Sequence, residues 1–137
     1  VGDPKNLDGT NTNSTGHGDL AEAQRDMTGQ SGETHAYTCC GFNGAAFRTA
    51  IDKFAYASNV TATNVASIGI MQLASGTAST FGNGYVAGGN LTGGFGAPVT
   101  GKQSVIRRNS HTNDTDAIDV GNLSSARSHF GGCGACV

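Results

Sequence analysis

The stretch Gly96–Lys102, GAPVTGK, nearly matches the phosphate-binding signature G-x-x-x-x-G-K-[ST], but Gln103 stands where a hydroxyl should reach Mg²⁺. Such a loop needs a buried strand before it and a helix opening at its lysine, because backbone N–H groups and the helix dipole must face the phosphates. The surrounding sequence predicts neither a parallel sheet nor that helix. We therefore expect a glycine-rich loop on the rim of a scaffold, a common place for a binding surface.

Four cysteines are the next candidates for chemistry: the adjacent Cys39 and Cys40, and Cys133 and Cys136 in a Cys-x-x-Cys spacing. Four thiolates could hold zinc, but neighbours on a strand point to opposite faces and cannot easily reach one ion. Small buried residues, a disulfide in some pairing and a metal site all stay open, with burial favoured. The glycine-flanked pair Cys133 and Cys136 is the one expected to oxidise to a disulfide.

The remaining polar residues predict no catalytic set. The sequence has no G-x-S-x-G nucleophile elbow. Its histidines are dispersed and are expected on the surface or in turns: His17, His35, His111 and His129. Several acids are expected at strand ends and turns: Asp19, Asp52, Asp116 and Asp119. We predict no catalytic residue, no metal and no cofactor.

The composition favours short strands joined by turns. The 137 residues fit one domain, with 22 glycines, 13% charged residues and a formal charge of −2. A nearly neutral chain gives no electrostatic reason to expect nucleic acid or an anionic membrane as a partner. No apolar run approaches the roughly 18–20 residues that a membrane span needs.

The chain also repeats itself, which sets the elements that must position these residues. At an offset of 48 residues, Gly18–Gly41 aligns with Ala66–Gly89, and at an offset of 55, Ile51–Ile68 aligns with Ile106–Leu123. The difference of seven places an insertion between Gly89 and Ile106. Three cations fall at one repeat position and are expected on the exposed edge of an outer strand: Lys5, Lys53 and Arg108.

Each copy predicts four strands. The runs HAYTCCG and NGYVAGG end at glycines, as a buried strand entering a turn does, and TAIDKFAYAS alternates. Four strands in a repeat of about 50 residues fit the blade of a β-propeller. The succession GYVAGG, AIDKFAYAS and VGNLSSAR resembles the kelch-type repeat, in the loose variety of long tandem arrays in phage and environmental genomes. The first copy departs from it with CCG in place of the glycine pair, and the family's usual Trp is missing throughout.

The resemblance implies an all-β fold of four-stranded antiparallel blades, of which the chain supplies about three. Residues 20–67 form one blade and residues 68–122 another, with the insertion near residues 90–102. Residues 1–19 supply the outer strands of a split blade, and residues 123–137 its inner start. Because about three blades are too few for an ordinary ring, we expect self-association, for example a dimer with six blades.

The function implied is that of a non-enzymatic structural or recognition protein. It would be virion-associated (tail, fibre or capsid surface) or extracellular at a cell surface, although a cytoplasmic location stays open. Its loops would contact a protein or glycan partner, through candidate residues in the insertion: Asn90, Thr92, Phe95 and Lys102. The alternatives are a propeller enzyme with a site in the central channel and an intracellular kelch-type adaptor.

Overall fold

The computed structural model describes residues 16–69, 75–92 and 99–134, and within them all regular structure is β, as predicted. The strands are β1 (Thr28–Ser31), β2 (His35–Cys39), β3 (Ala50–Ala55), β4 (Thr63–Ser67), β5 (Gly76–Ser79), β6 (Asn83–Ala87), β7 (Asn90–Thr92), β8 (Val99–Lys102), β9 (Val105–Ser110), β10 (Thr115–Asn122) and β11 (Cys133–Gly134). Thr, Val, Ile and Tyr recur in these strands because branched and aromatic side chains fit a pleated surface. This described part contains no helix that is long and apolar enough to cross a membrane.

The strands form two antiparallel four-stranded sheets. Sheet 1 has the order β1-β2-β3-β4, so each strand pairs with the next in the chain. Sheet 2 has the order β10-β9-β6-β5, and the short β11 pairs in parallel with the outer side of β5. The β7–β8 hairpin occupies the connection between β6 and β9. The meandering order follows from short turns, which can join only antiparallel neighbours.

The two sheets are built alike. β1 and β5 begin and end 48 residues apart, as do β2 and β6, and β3 and β9 are 55 residues apart. Loop hydrogen bonds recur at the same offsets: Cys40 N donates to Ala50 O at 2.9 Å, and Gly88 N donates to Val105 O at 2.9 Å. The fourth strand of each sheet has an irregular register in the same place, at Val65 and at Val120. The seven extra residues lie in the β7–β8 hairpin region.

The backbone after the second strand of each sheet explains why the second copy has the pair Gly88 and Gly89 and what Cys40 does in the first copy. Gly88 and Gly89 have φ angles of 61° and 96°, and at the equivalent positions Cys40 and Gly41 have 61° and 111°. Glycine adopts this left-handed region freely, whereas a residue with a Cβ pays about 1–2 kcal/mol. Cys40 therefore occupies a glycine position, and it is buried there.

The core lies between the sheets. The face of sheet 1 that carries Tyr37, Cys39 and Ile51 packs against the face of sheet 2 that carries Val86 and Ala117, and all five side chains are buried. We call the first the front face of sheet 1 and the second the back face of sheet 2. Burial of these apolar side chains joins the two sheets into one unit.

The position of the repeated cations is a correction. β3 lies between β2 and β4, and β9 lies between β6 and β10, so Lys53 and Arg108 belong to inner strands and not to an exposed edge. Lys53 Nζ lies 2.7 Å from Asp114 Oδ2 of sheet 2 and is mostly buried. Lys5 lies outside the described residues. The lysine thus links the sheets and does not guard an edge.

The predicted division into blades stays a prediction at both ends. Residues 1–15 and 135–137 lie outside the described part. Near the first end, Asp19 O accepts a hydrogen bond of 2.8 Å from Ala62 N, the residue before β4 of sheet 1. Near the other end, Arg127 O accepts one of 2.8 Å from Gly89 N, and the Phe130 ring lies over Gly76. Both segments therefore run against the sheets.

Candidate functional site

The predicted binding loop lies on the β7–β8 hairpin. Asn90 is the cross-strand partner of Lys102, and Thr92 is the partner of Val99. Lys102 is exposed and Asn90 is half-buried, while Phe95 lies outside the described residues. The structure thus brings Asn90, Thr92 and Lys102 together on one hairpin, in a region where sheet 1 has only a short loop.

The resemblance of this segment to a phosphate-binding loop ends at the sequence. Lys102 is the last residue of β8, and β9 follows at Val105 where that motif needs a helix. Gly101 has a φ of 86° and lies at the hairpin's end, with no atom near its hypothetical Cβ. Its glycine serves the backbone of a hairpin and does not make room for a phosphate.

The cysteines divide into a described pair and one that is not fully described. Cys39 and Cys40 are buried thiols, and burial raises the pKa of the Cys39 thiol well above its usual value, with Cys40 and Asp52 adding to the effect. A thiol held neutral in this way is a poor nucleophile and a poor metal ligand. Cys133 begins β11, but Cys136 lies outside the described residues, so their disulfide stays a prediction. Within the described ranges, no three His, Cys, Asp or Glu side chains are grouped to hold a metal ion.

A second candidate site lies where the turns of the two sheets meet, and its anchor is His111. This residue follows β9 in a turn but is only 8% exposed. Its ring stacks on Tyr37 of sheet 1, with centroids 4.2 Å apart and planes 8° from parallel. Tyr37 Oη donates to the His111 carbonyl at 3.1 Å, and His111 Nε2 lies 3.2 Å from Gln30 Oε1. These contacts tie a turn of sheet 2 rigidly to sheet 1.

Three polar atoms in this cluster are buried without a hydrogen-bond partner: His111 Nδ1, Gln30 Nε2 and Asn109 Oδ1. His111 Nε2 carries the proton when Gln30 Oε1 is its acceptor, and the backbone carbonyls of Phe81 and Thr80 also lie beside the ring. An unpaired buried polar atom costs about 1–3 kcal/mol, so a fold keeps few of them without a use.

The pKa values of the two stacked rings keep both neutral near pH 7. Burial lowers the pKa of His111, and the carbonyls of Phe81 and Thr80 and the Asp114 carboxylate offset part of the shift. Burial also raises the pKa of Tyr37 to about 12, with Asp114 contributing. The cluster therefore presents hydrogen-bonding groups without charge at its centre.

A pocket of about 220 Å³ opens beside this cluster. We call it the seam pocket; its lining comprises residues 32–35, Tyr37, Phe81, His111 and Thr112. Glu33 and Phe81 hold equivalent positions, 48 residues apart, in the β1–β2 and β5–β6 turns. The same turn position thus supplies a carboxylate from one sheet and an aromatic ring, 45% exposed, from the other.

The sequence did not predict this pocket, and it misplaced two acids, because Asp119 lies within β10 and Asp52 within β3. The histidines were expected on the surface or in turns, and His111 is in a turn but buried. Asp52 was expected at a strand end; that prediction is wrong, because it lies within β3 at 3% exposure and accepts hydrogen bonds from Gln24 Nε2 and Asn64 Nδ2. The repeat places Glu33 and Phe81 at the same turn position, so the sequence could have shown that the two turns lie at the same end of their sheets. It does not show which faces of the sheets pack together, and the pocket depends on that packing.

Comparison with known proteins gives no matching family model and no matching curated protein.

Proposed function

We propose that the chain is a non-enzymatic structural or recognition protein whose sheets are blades of a kelch-like β-propeller, completed by a second copy of the chain. Its β7–β8 hairpin would contact a protein or glycan partner, in a virion or at a cell surface. The sequence resemblance, the two four-stranded sheets and the hairpin insertion support this proposal. A recognition role is supported by the general rule that binding surfaces are usually placed on loops carried by a rigid scaffold.

The observation that carries the proposal is the exposed face of sheet 2 that corresponds to the buried face of sheet 1. The front face of sheet 2 is defined by five positions that repeat the front face of sheet 1: Tyr85 for Tyr37, Ala87 for Cys39, Ile106 for Ile51, Arg108 for Lys53 and Val120 for Val65. Four of the five are apolar, and the three largest of those keep their residue type. On sheet 1 such residues are covered by the back face of sheet 2.

The equivalent residues on sheet 2 lack a covering sheet, and the segment 130–132 of the same chain lies beside them without burying them fully. Tyr37 and Ile51 are 3% and 0% exposed, whereas Tyr85 and Ile106 are only half-buried and Val120 is 43% exposed. Apolar surface of this kind gains about 25 cal/mol for each Å² removed from water. A second copy, docking one of its own sheets as sheet 2 docks on sheet 1, would cover it.

The charge at this face favours the same occupant. Lys53 on sheet 1 meets the Asp114 carboxylate from the turn that follows β9. Arg108 occupies the equivalent position on sheet 2, half-buried, and none of the ion pairs found among the described residues includes it. A sheet docked in the same geometry would place a turn of the second copy beside Arg108.

The test measures native mass by light scattering behind a sizing column, with and without reductant. We expect a discrete dimer or larger closed ring, and we expect Ile118→Arg/Val120→Arg to yield monomer. Ile118 pairs across the strands with Arg108 and so lies on the front face of sheet 2 beside Val120. The two are 54% and 43% exposed, so arginine there should leave the monomer fold intact by circular dichroism. The matched control is Val60→Arg, at 46% exposure on sheet 1's connection between β3 and β4, which should leave the mass unchanged.

A wild-type monomer at every concentration would contradict completion by a second copy. Retention of the oligomer by Ile118→Arg/Val120→Arg would show that another surface holds the copies together. A dependence of the mass on reductant would instead implicate the cysteines.

A further inference from the structure

We propose that the seam pocket binds one ring of an uncharged sugar, with Phe81 as the stacking platform and Glu33 as a hydrogen-bond acceptor. This deepens the proposed recognition function, on which it rests, by naming a ligand class and a site. The site is separate from the β7–β8 hairpin, because its residues come from the turns at the opposite ends of the strands.

The size of the pocket selects a small ligand. Its volume of about 220 Å³ is below the roughly 300–1,000 Å³ of sites for drug-sized molecules. A single pyranose ring, with about a dozen non-hydrogen atoms, is of the right scale, and further rings of a chain would extend into solvent.

The aromatic platform selects the shape. Phe81 is 45% exposed although phenylalanine is among the residues most often buried. Aromatic rings offer a flat apolar face with a negative quadrupole, which attracts the partly positive C–H groups on one face of a sugar ring. The rigid turn that carries Phe81 is closed by a hydrogen bond of 2.8 Å from Thr80 N to Asn83 O. The backbone that carries the Phe81 ring is therefore fixed before the ligand arrives.

The polar side chains that line the pocket favour a ligand with hydroxyl groups. Glu33 is exposed at the mouth of the pocket and can accept hydrogen bonds from two neighbouring hydroxyl groups. His35 Nδ1 lies 2.8 Å from Thr34 Oγ1, which fixes the ring and leaves its other nitrogen for a ligand. The floor of the pocket is closely packed, because a Cβ at Gly32 would lie only 3.3 Å from the buried His111 Nδ1.

The polar groups disfavour anions and metal ions as ligands. An anion would meet the Glu33 carboxylate, so a phosphate or an acidic sugar is disfavoured. A metal ion would need several converging ligands, and no such group exists among the residues that the structure describes. An uncharged polyhydroxyl ring satisfies the donors and acceptors without either penalty.

The experiment titrates ¹⁵N-labelled full chain with the methyl glycosides of glucose, galactose, mannose and N-acetylglucosamine, followed by amide shifts. We expect at least one glycoside to bind saturably, with a Kd of about 1 mM, and to shift amides at Gly32, Gly82 and Thr112. Phe81→Ala and Glu33→Gln should each weaken binding at least about tenfold, because each removes a group that contacts the ring. The control Val60→Ala, equally exposed but outside the pocket, should leave the Kd unchanged.

Absence of saturable shifts with all four glycosides, or shifts confined to other regions, would overturn the proposal. An unchanged Kd in Phe81→Ala would also overturn it, provided that the variant keeps the wild-type amide dispersion; Phe81→Leu serves where it does not. Native mass is read separately. A monomer that binds sugar at the seam pocket would contradict only the completed ring, and a ring without sugar binding would contradict only the pocket.

Discussion

The front faces of the two sheets have the same strands beneath them and differ in what lies above. On sheet 1, Tyr37 and Ile51 are sealed by the back face of sheet 2, whereas on sheet 2, Tyr85, Ile106 and Val120 retain contact with solvent. The residue types hardly change between the two faces. The comparison shows that the apolar residues of a sheet indicate which face must be buried. They do not indicate which other part of the molecule, or which second molecule, buries it.

The largest contrast should appear on truncating the paired isoleucines. Ile51→Ala opens a cavity in a fully buried site and should destabilise the protein by about 2–5 kcal/mol. Ile106→Ala, measured by urea denaturation at the same low protein concentration, should cost under about 1.5 kcal/mol, because its half-buried side chain leaves water access.

Raising the protein concentration sharpens this contrast. If a second copy covers the front face of sheet 2, the cost of Ile106→Ala should grow with concentration while that of Ile51→Ala stays constant. Equal costs for both variants at low concentration would mean that the two faces are covered alike within one chain.

A second contrast concerns the paired positions Ala36 and Gly84. A Cβ at Gly84 would overlap Gln30 Oε1 and approach His111 Nε2 to 2.6 Å, whereas Ala36 carries its Cβ on the outer side of sheet 1. We expect Gly84→Ala to destabilise by about 1–3 kcal/mol through overpacking of the join between the sheets. Thermal unfolding would measure it.

The matched control also truncates Gln30, the side chain that the new methyl group would overlap. In Gln30→Ala/Gly84→Ala the new methyl has space, so the double variant should be more stable than the sum of the two single changes predicts. Strict additivity would show that Gln30 does not occupy the space beside Gly84. Ala78, the repeat partner of Gln30, indicates that alanine suits this strand position.

These contrasts also mark how far the sequence alone could go. The alternation and glycine ends predicted the strands, and the offsets of 48 and 55 recur in their bounds, because local pattern and turn chemistry determine both. The position of Lys53 was mispredicted. A charged residue in a strand suggests an exposed edge, and its ion-pair partner Asp114 is 61 residues away, so nothing in the sequence indicated the pair. The seam pocket was missed for the same reason: Glu33 and Phe81 meet only because two sheets pack, and the repeat does not specify that packing.

The two sheets also differ in the connection between their second and third strands. Exchanging this connection should change stability less than the substitutions above, but should affect binding to a partner. In sheet 1 this connection is a compact loop, in which Asn43 Oδ1 accepts hydrogen bonds from Ala45 N and Ala46 N. In sheet 2 it carries the β7–β8 hairpin. Replacing residues 90–102 by the sheet 1 sequence 42–47 keeps the flanking bond from Gln103 N to Gly89 O. Its sheet 1 equivalent, from Arg48 N to Gly41 O, has the same length of 2.8 Å.

We expect this shortened chain to fold with a stability within about 1 kcal/mol of the parent, since loop length costs little. Binding to any protein or glycan partner captured by the parent should be lost if the hairpin makes that contact. Lys102→Ala is the milder companion, and a partner that binds the shortened chain unchanged would remove the hairpin from the recognition surface.

The smallest expected effect is a pH dependence of stability that comes from His111. Sheet 1 has Tyr56 at the equivalent repeat position, so it has no histidine there. Burial lowers the folded pKa of His111 below the ordinary value of 6.5, with Asp114 and nearby carbonyls opposing and Lys53 assisting. The unfolded chain therefore binds the proton first as the pH falls. The stabilisation is fully present above about pH 6.5 and is lost as the pH falls from there through the folded pKa.

His111→Gln should flatten this part of the profile in urea denaturation between pH 7.5 and pH 5, about the range in which a histidine titrates. The control variant His129→Gln replaces an exposed histidine outside the seam pocket. If the parent's stability is constant over this range while His111→Gln is merely less stable, the imidazole is accommodated in its charged form by Asp114. The turn of sheet 2 would then be held by an ion pair as well as by the stack on Tyr37, and the seam pocket would carry positive charge below neutral pH.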